Sequence, residues 1–243
     1  MDVEALFWEL ASRDRVSILK LLGKRRRRLS RIAEEIGASV QETHRNLSRL
    51  SKVGLVDKDR DGYYVLTAFG RLVLAVLPTL EFLCEYRDYL ETHDLTRIPS
   101  RFIYRIGELR GSKRAPDTFT AIRYSEMIIE ESEEYVWVIT EQVLPSAAHL
   151  MSEKASGNVT FRVIVPRGLK PPPGVNVDAA RNVSVRFVDS VDVALVLNEK
   201  RACLAFPRLD GEMDYRGFLV ESRAGHRWCR DLFEHYWARG GTV

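Results

Sequence analysis

Residues 39–56 constrain the fold of this chain more than any other stretch, because signals for a helix start and a helix end frame them. Ser39 is an N-cap residue, and Glu42 follows three positions on, which is the arrangement of a capping box. Gly54 supplies the left-handed conformation with which helices commonly end. Residues 29–37 predict a second short helix that ends at its own glycine. Two such helices joined by a short turn form a helix-turn-helix.

The second of these helices is predicted to have an apolar face and a polar face. Apolar residues recur at helical spacing, namely Val40, Leu47, Leu50 and Val53. The opposite face carries side chains of the types that read base edges or bind phosphates: Gln41, Glu42, Thr43, His44, Arg45, Asn46, Ser48, Arg49 and Lys52. The pattern therefore predicts a helix that is buried on one side and open to a polar partner on the other.

A predicted β-hairpin follows directly. Residues 54–59 and 63–66 are strand-like, and Arg60-Asp61-Gly62 joins them through an Asp-Gly pair, which is a strong hairpin signal. A helix-turn-helix followed by a charged hairpin is the order of elements in a winged helix.

This block resembles the winged-helix DNA-binding domains of archaeal transcription regulators of the ArsR-like and TrmB-like groups. The resemblance rests on Ile32-Ala33, Ile36-Gly37, Ser39, Arg45, Leu47, Leu50 and Gly54-Leu55-Val56. It implies a protein that binds double-stranded DNA, while a winged helix that contacts only other proteins is the alternative. As DNA-binding residues we expect Ser39, Gln41, Thr43, His44, Arg45 and Arg49 on the helix, with Arg60 and Tyr63 on the wing.

Positive charge is concentrated in the same part of the chain. Residues 1–75 hold 15 Lys and Arg against 10 Asp and Glu, although the net charge of the 243-residue chain is only +3. This asymmetry supports a nucleic-acid partner without requiring one. Residues 24–28 are five consecutive cations. The run is either a solvated loop or a set of phosphate contacts made by Arg26, Arg27 and Arg28.

A long apolar helix is predicted over residues 68–92, with Thr67 as its cap. Pro78 is expected to kink this helix, because the apolar periodicity resumes on both sides of it. An apolar face of this size needs a partner, either the rest of the chain or a second copy. In the regulators that the chain resembles, the equivalent helix commonly dimerises, and a two-fold axis suits a palindromic operator. We therefore expect a homodimer.

The chain is predicted to contain three parts. A winged helix-turn-helix domain occupies residues 1–75, a linker and dimerisation helix occupies residues 76–96, and an α/β domain occupies residues 97–243. In the last part, strand-like segments cover residues 134–140, 159–165, 183–188, 192–197, 202–206 and 217–220, and helical segments cover residues 100–109, 117–132, 143–156 and 225–239. Residues 170–174 predict a rigid, exposed loop because three consecutive prolines lie within them.

The α/β part resembles the phospholipase-D-like sensor domain of TrmB-type regulators and, more closely, the middle domain named after the archaeal methanogenesis regulator FilR. The closing helix carries this resemblance at Trp228, Leu232-Phe233-Glu234 and Tyr236-Trp237. A sensor domain that modulates operator binding is what it implies. Ligands of doubly wound sheets bind beyond the carboxyl ends of the strands, so the candidate effector-binding residues are Thr140, Glu141, Arg167 and Asp189. A structural salt bridge explains each of them equally well.

The sequence lacks the signatures of catalysis. Phospholipase D chemistry needs a His-x-Lys pair, and none occurs in the chain. No Ser-His-Asp signature, glycine-rich phosphate loop or acidic metal motif is present either. His226 and Cys229 are three positions apart, but two ligands are too few for a zinc site, and a cysteine buried in the core is the simpler interpretation. We therefore expect an inactive phospholipase-D-like fold with no catalytic residues, metal or cofactor.

Location and function complete these expectations. No apolar run approaches the roughly 18 residues that span a bilayer, the chain starts acidic, and its three cysteines form no disulfide framework. These features predict a cytoplasmic protein without a membrane partner. The leading hypothesis is a homodimeric DNA-binding transcription regulator that responds to a small-molecule effector. The alternatives are a sequence-independent chromatin or architectural DNA-binding protein and, in third place, a phosphodiesterase-like enzyme.

Overall fold

The computed structural model of the protein describes residues 2–169 and 182–241. The chain divides into two compact units, Met1–Pro78 and Thr79–Val243. The proline-rich loop predicted at residues 170–174 lies outside the described residues. The sequence predicted three separate parts, with boundaries after residues 75 and 96. That division stays a prediction.

The first unit has the order of elements of a winged helix. Its elements are α1 (Val3–Leu10), α2 (Arg13–Lys24), α3 (Leu29–Ile36), α4 (Val40–Lys52), β1 (Val56–Lys58), β2 (Tyr64–Leu66) and the start of α5 (Ala68–Glu85). The two strands pair antiparallel, with Val56 opposite Leu66 and Lys58 opposite Tyr64. The predicted helix-turn-helix and hairpin are thereby confirmed as structure.

Local signals explain where these helices begin and end. The side chains of Ser12 and Ser39 accept hydrogen bonds from the backbone N–H groups three residues on, which satisfies donors that a helix start leaves free. Gly37 and Gly54 have φ values of 71° and 72°, a left-handed conformation that side chains with a Cβ rarely adopt. The turn between α3 and α4 and the turn into β1 therefore occur where the sequence predicts them.

One apolar core holds the first unit together. Its buried members are Ile18, Leu19, Leu22, Ile32, Leu47, Leu50, Leu55, Val56, Tyr64 and Leu66. Burial of each aliphatic side chain of this kind contributes about 1.5–3 kcal/mol before the loss of conformational entropy is counted. The helices α2, α3 and α4 thus share a core with the hairpin, and this core fixes the direction in which the opposite face of α4 points.

The helix predicted over residues 68–92 is two helices. It runs through Pro78, as expected, but α5 ends at Glu85, and α6 (Arg87–Leu90) begins after Tyr86. Tyr86 has φ −111° and ψ 25°, outside the helical range, and its hydroxyl donates to the carbonyl of Ser112 at 2.7 Å. The helix therefore breaks at Tyr86, the residue that makes this contact with a residue distant in sequence. The local periodicity did not predict the break.

The second unit contains a mixed sheet, which has seven strands within the described residues. They are β3 (Lys113–Arg114), β4 (Tyr135–Ile139), β5 (Thr160–Pro166), β6 (Val183–Val188), β7 (Ala194–Leu197), β8 (Ala202–Ala205) and β9 (Phe218–Val220), in the spatial order β3-β9-β8-β7-β4-β5-β6. Strands β4, β5 and β6 are parallel, and the other neighbours are antiparallel. The α/β character of this part is confirmed.

Helices lie against both faces of this sheet. They are α7 (Ser100–Ile103), a 3-10 helix over Ile106–Leu109, α8 (Thr118–Glu130), α9 (Pro145–Ala155) and α10 (Arg223–Arg239). Because successive side chains of a strand point to opposite faces, Trp137 and Ile139 of β4 join the core that includes α10. Val136 and Val138 join the core on the side of α8 and α9.

Among the helices in the described ranges, none combines the length and the apolar character that crossing a membrane requires.

Candidate nucleic-acid interface

The exposed face of α4 carries polar side chains at the positions that helical spacing predicts. Gln41, His44 and Arg45 are exposed, and Ser39 at the cap is exposed as well. The Ser39 Oγ accepts from the backbone N–H of Glu42 at 3.1 Å, so this side chain has a structural role at the helix start. Helix α4 therefore presents an amide, an imidazole and a guanidinium within its first two turns.

The structure corrects the assignment of two residues of α4. Thr43, predicted to contact DNA, is 0% exposed, and Val40, predicted to belong to the apolar face, is 53% exposed. The Thr43 hydroxyl donates to the carbonyl of Ser39 at 2.9 Å. Because this bond satisfies the hydroxyl inside the helix, the side chain packs on the buried face that also carries Leu47. Thr43 is therefore a core residue, and its predicted contact with DNA was wrong.

An ion pair with α1 engages Arg49. Its Nη2 and Nε donate to the two carboxylate oxygens of Glu9 at 2.7 and 3.1 Å. Arg15 Nε lies 2.8 Å from the same carboxylate. The hydrogen bond from Arg49 lowers the pKa of Glu9 and outweighs the effect of burial, which raises it. We therefore assign Arg49 to positioning α4 against α1, while its predicted contact with DNA stays a prediction because its side chain is 45% exposed.

Asp59 organises the turn of the wing. Its Oδ1 accepts from the backbone N–H groups of Asp61 and Tyr63 at 3.0 and 2.9 Å, and its Oδ2 accepts from Arg26 Nη1 at 2.9 Å. Desolvation raises the pKa of Asp59, but these hydrogen bonds outweigh it, and the pKa is lowered. Sequence reasoning missed this residue. The Asp-x-Asp-Gly spacing was the available signal, because aspartate side chains accept from backbone groups two residues on.

Two arginines of the basic run lie on the wing. The guanidinium carbons of Arg26 and Arg28 are 4.5 and 4.9 Å from the centroid of the Tyr63 ring, within the range of cation–π attraction. Arg26 also pairs with Asp61 at 3.2 Å. Arg60 is exposed beside them in the turn. The basic run and the wing therefore form one surface.

Arg27 does not belong to that surface. It is 7% exposed, and its Nε and Nη2 donate to the Glu35 carboxylate of α3 at 2.9 and 3.3 Å. Its backbone exchanges hydrogen bonds with Tyr64, so Arg27 extends the hairpin. Because neighbouring side chains of an extended segment point in opposite directions, Arg26 and Arg28 face outward and Arg27 inward. The predicted phosphate contact of Arg27 was wrong.

We call the remaining set the α4–wing surface. Its members are Gln41, His44 and Arg45 on α4, and Arg26, Arg28, Arg60 and Tyr63 on the basic run and wing. Guanidinium groups bind phosphate oxygens and guanine edges, and amides bind adenine edges. The arrangement suits a nucleic acid, which offers both negative phosphates and base edges that form hydrogen bonds. Contact of these residues with DNA stays a prediction.

In the second unit, the predicted effector residues have separate surroundings. Arg167 follows β5 and Asp189 follows β6, and these exposed side chains pair with each other at 3.4 Å. Thr140, at the end of β4, is buried, and its hydroxyl donates to the carbonyl of Gln142 at 2.6 Å. Glu141 is exposed. Arg167 and Asp189 thus form the surface ion pair that was the alternative explanation for them.

Cys229 belongs to the protein interior, and His226 is half-buried beside it. Cys229 is fully buried, and burial raises the pKa of its thiol. The His226 ring nitrogen Nε2 lies 2.6 Å from the carbonyl oxygen of Asn198. Across the ranges that the structure describes, no group of three or more His, Cys, Asp or Glu side chains is placed to hold a metal ion.

These observations define the first unit as a winged helix-turn-helix domain. Residues 4–87 match the profile of the family described as the HVO_A0261 N-terminal domain. No curated protein matches the chain.

Three solved structures illustrate what the chain is similar to. TrmBL2, described as an archaeal chromatin protein with a DNA-binding mode of its own, is 11% identical, with a TM-score of 0.45 over 93% of this chain and 92% of that chain. The homodimeric winged helix-turn-helix DNA-binding domain of Mb0332 from Mycobacterium bovis, a possible ArsR-family transcriptional regulator, is 26% identical, with a TM-score of 0.32 over 35% and 82%. NucT from Helicobacter pylori is 11% identical, with a TM-score of 0.44 over 55% and 98%.

All three TM-scores are below 0.5, so the winged helix is assigned from its own geometry in this chain. The second unit is a mixed α/β unit, and its likeness to a phospholipase-D-like or FilR-type sensor domain stays a prediction.

Proposed function

We propose that the protein is a homodimeric DNA-binding transcription regulator whose second unit is a sensor domain that modulates operator binding. The observation that carries this proposal is the α4–wing surface. A core shared by α2, α3, α4 and the hairpin orients the polar face of α4 outward, while Arg26 and Arg28 stack on Tyr63 of the wing. A helix of this kind reads the major groove, and flanking arginines hold the phosphate backbone.

Within this surface we assign different roles to different cations. Arg45 is exposed on the outer face of α4 and has the fork geometry that reads the O6 and N7 atoms of guanine. Arg26 and Arg28 stack on Tyr63 of the wing, so we assign them phosphate contacts, for which Arg26 would exchange its hydrogen bonds with Asp59 and Asp61 for phosphate oxygens. Contacts to phosphates supply affinity, and contacts to base edges supply specificity.

Pairing of two chains is supported by exposed apolar side chains in the first unit. On α1, Phe7 and Trp8 are 53% and 67% exposed, and on α5, Leu72 and Val76 are 68% and 60% exposed. Large apolar side chains grouped on helix faces mark association surfaces. A two-fold dimer places two recognition helices about one turn of DNA apart, which is how helix-turn-helix proteins read palindromes.

Selection from fragmented genomic DNA of the source organism tests the proposal. Full-length protein is used to enrich bound fragments, the enriched fragments are footprinted, and the dissociation constants for enriched and random duplexes are compared at several salt concentrations. We expect protected, pseudo-palindromic sites bound at least about 1,000-fold more tightly than random DNA. Equal affinity for both would instead support the architectural alternative. Absence of duplex binding even at low salt would overturn the whole proposal.

The variant Arg45→Ala tests the role of α4. Loss of one bidentate base contact costs about 1–3 kcal/mol, so the affinity for a footprinted site should fall by roughly 5- to 150-fold while affinity for random DNA changes little. Arg123→Ala is the matched control, because it removes the same charge from an exposed arginine of α8 that pairs with Glu126. If both variants bind the enriched site like the wild type, Arg45 does not read it.

A further inference from the structure

A cavity lies on the α8 and α9 side of the sheet in the second unit. Its volume is about 160 Å³, and its walls include Ile129 of α8, Met151 of α9, and Val138, Val163 and Val196 of the sheet. A cavity of about 150 Å³ with comparable aliphatic walls accommodates benzene. The size therefore matches a ligand built on a single six-membered ring.

The walls of this cavity favour an uncharged ligand. Glu126 is the only carboxylate among the described lining residues, and its Oε2 accepts from Arg123 at 3.0 Å. The Cys203 thiol also lines the cavity, and burial raises its pKa to about 11, so it is neutral at physiological pH. The carboxylate in the lining is already paired and the thiol is neutral, so an ionic ligand would meet no unpaired opposite charge. Such a ligand would lose its hydration without compensation.

One polar group of the lining is left without a partner of good geometry. The hydroxyl of Tyr215 is buried and completes no hydrogen bond, although Thr140 and Gln142 lie beside it. The Thr140 hydroxyl already donates to the Gln142 carbonyl at 2.6 Å. Desolvation raises the pKa of Tyr215, so its hydroxyl keeps the proton and is a donor. Buried polar groups without partners are rare in folded proteins and call for an explanation such as a ligand.

We propose that this cavity binds a small, uncharged molecule that combines one apolar ring with one hydrogen-bond acceptor, and that the Tyr215 hydroxyl donates to that acceptor. As an effector site it rests on the proposed function, but as a binding site it stands on the cavity alone. This cavity is a different effector site from the one that the sequence predicted. Thr140 lines the cavity, while Glu141, Arg167 and Asp189 are not among its described lining residues.

Acetophenone and ethylbenzene are suitable probes, because they share a skeleton and differ in one carbonyl oxygen. Binding to the full chain is measured by NMR with 13C-methyl methionine labelling, in which the Met151 signal is assigned from Met151→Leu. We expect both probes to shift the Met151 signal and to compete with each other, with acetophenone the tighter binder. If neither probe shifts that signal at millimolar concentration, the proposal is wrong.

Variants separate the roles of shape and of the hydroxyl. Tyr215→Phe should weaken acetophenone by about 3- to 10-fold and leave ethylbenzene unchanged, since it removes one neutral hydrogen bond. Ala147→Leu fills the cavity and should abolish binding of both probes, whereas Ser146→Leu, on the same helix but outside the lining, should not. Equal weakening of both probes by Tyr215→Phe would refute the hydrogen bond.

These measurements use protein without DNA. Failure of DNA binding would therefore leave the result on the cavity intact, and failure of the cavity would leave the DNA-binding result intact.

Discussion

Adjacent arginines in the basic run have different environments, and the difference decides what each can do. Arg26 and Arg28 stack on the Tyr63 ring at the surface, whereas Arg27 between them is buried against Glu35. Replacing Arg27 would leave the half-buried Glu35 carboxylate with Arg31 as its remaining partner, while replacing Arg28 would change mainly the surface charge. At the scale of single residues, a run of like charges is thus a mixture of structural and surface groups.

Asp214 supplies a prediction about stability and pH. Hydrogen bonds from Arg216, the shortest 2.6 Å, outweigh desolvation and lower the pKa of Asp214 to about 2. Its pKa in the unfolded chain is about 3.9. Because the folded pKa is the lower one, the carboxylate stabilises the fold above pH 4, and this contribution of about 2 kcal/mol disappears as the pH falls toward 2.

The variant Asp214→Asn should therefore be less stable than the wild type by about 2 kcal/mol at pH 7, and the difference should shrink between pH 4 and pH 2. Urea unfolding at a series of pH values measures it. Asp210→Asn is the control, because Asp210 is about half exposed in its pair with Arg208. A stability difference that stays constant down to pH 2 would contradict the assigned pKa.

At the scale of elements, the start of α5 depends on a glycine. A Cβ added at Gly70 would lie 2.0 Å from the carbonyl oxygen of Leu55, which accepts from the backbone N–H of Thr67 at 3.1 Å. Helix propensity alone predicts that Gly70→Ala stabilises the helix by about 1 kcal/mol. Steric overlap with a backbone atom opposes this, and overpacking costs about 1–3 kcal/mol or more.

We expect the steric cost to exceed the gain in propensity, so Gly70→Ala should lower the free energy of unfolding of the first unit. Thermal unfolding followed by circular dichroism measures the change. Gly157→Ala is the control, because the nearest atom to its added Cβ is 3.4 Å away, an ordinary contact. A Gly70→Ala variant as stable as the wild type would show that α5 shifts freely against Leu55.

The order of elements was largely predictable because its signals are local. The Ser39 cap, the glycines at 37 and 54 and the Asp-Gly turn are each read within a few residues, and each is present in the structure. Strand β3 was not predicted, because its two residues, Lys113 and Arg114, are strand only through pairing with β9. The cavity beside α8 was not predictable either, since a void results from how distant side chains pack.

The candidate interface was predictable in part for the same reason. Helical spacing places Arg45 on the exposed side of α4. Thr43 lies four positions before Leu47, on the buried face, and was assigned to the polar face only because its hydroxyl, which bonds its own helix, looks polar in sequence. The partner of Arg49 is Glu9 of α1, and nothing in the spacing of either helix connects the two.

At the scale of the whole molecule, the question is how many chains act together. If the exposed apolar side chains of α1 and α5 pair two chains, the wild type should sediment at about twice the chain mass of 27.9 kDa. Leu72→Glu buries a charge in such an interface and should shift the protein to monomers. Binding to a two-part operator should weaken as well, since linked half-sites gain affinity from being bound together.

Sedimentation velocity at micromolar concentration measures the mass. Ser30→Glu is the control, because Ser30 is exposed on α3, a helix that carries none of these exposed apolar side chains. A wild type that sediments as a monomer would remove pairing from the proposed function. A Leu72→Glu variant that remains dimeric would place the interface elsewhere.

The ion pair between Glu9 and Arg49 has a consequence for how pairing and DNA reading would communicate. Glu9 lies on α1 directly after Phe7 and Trp8, whose side chains are exposed. Its carboxylate accepts two hydrogen bonds from Arg49 of α4, the helix that presents Arg45. A tilt of α1 imposed by a partner chain would pull on the recognition helix through two charged hydrogen bonds. The ion pair that holds α4 against α1 would then also transmit the effect of dimer formation to α4.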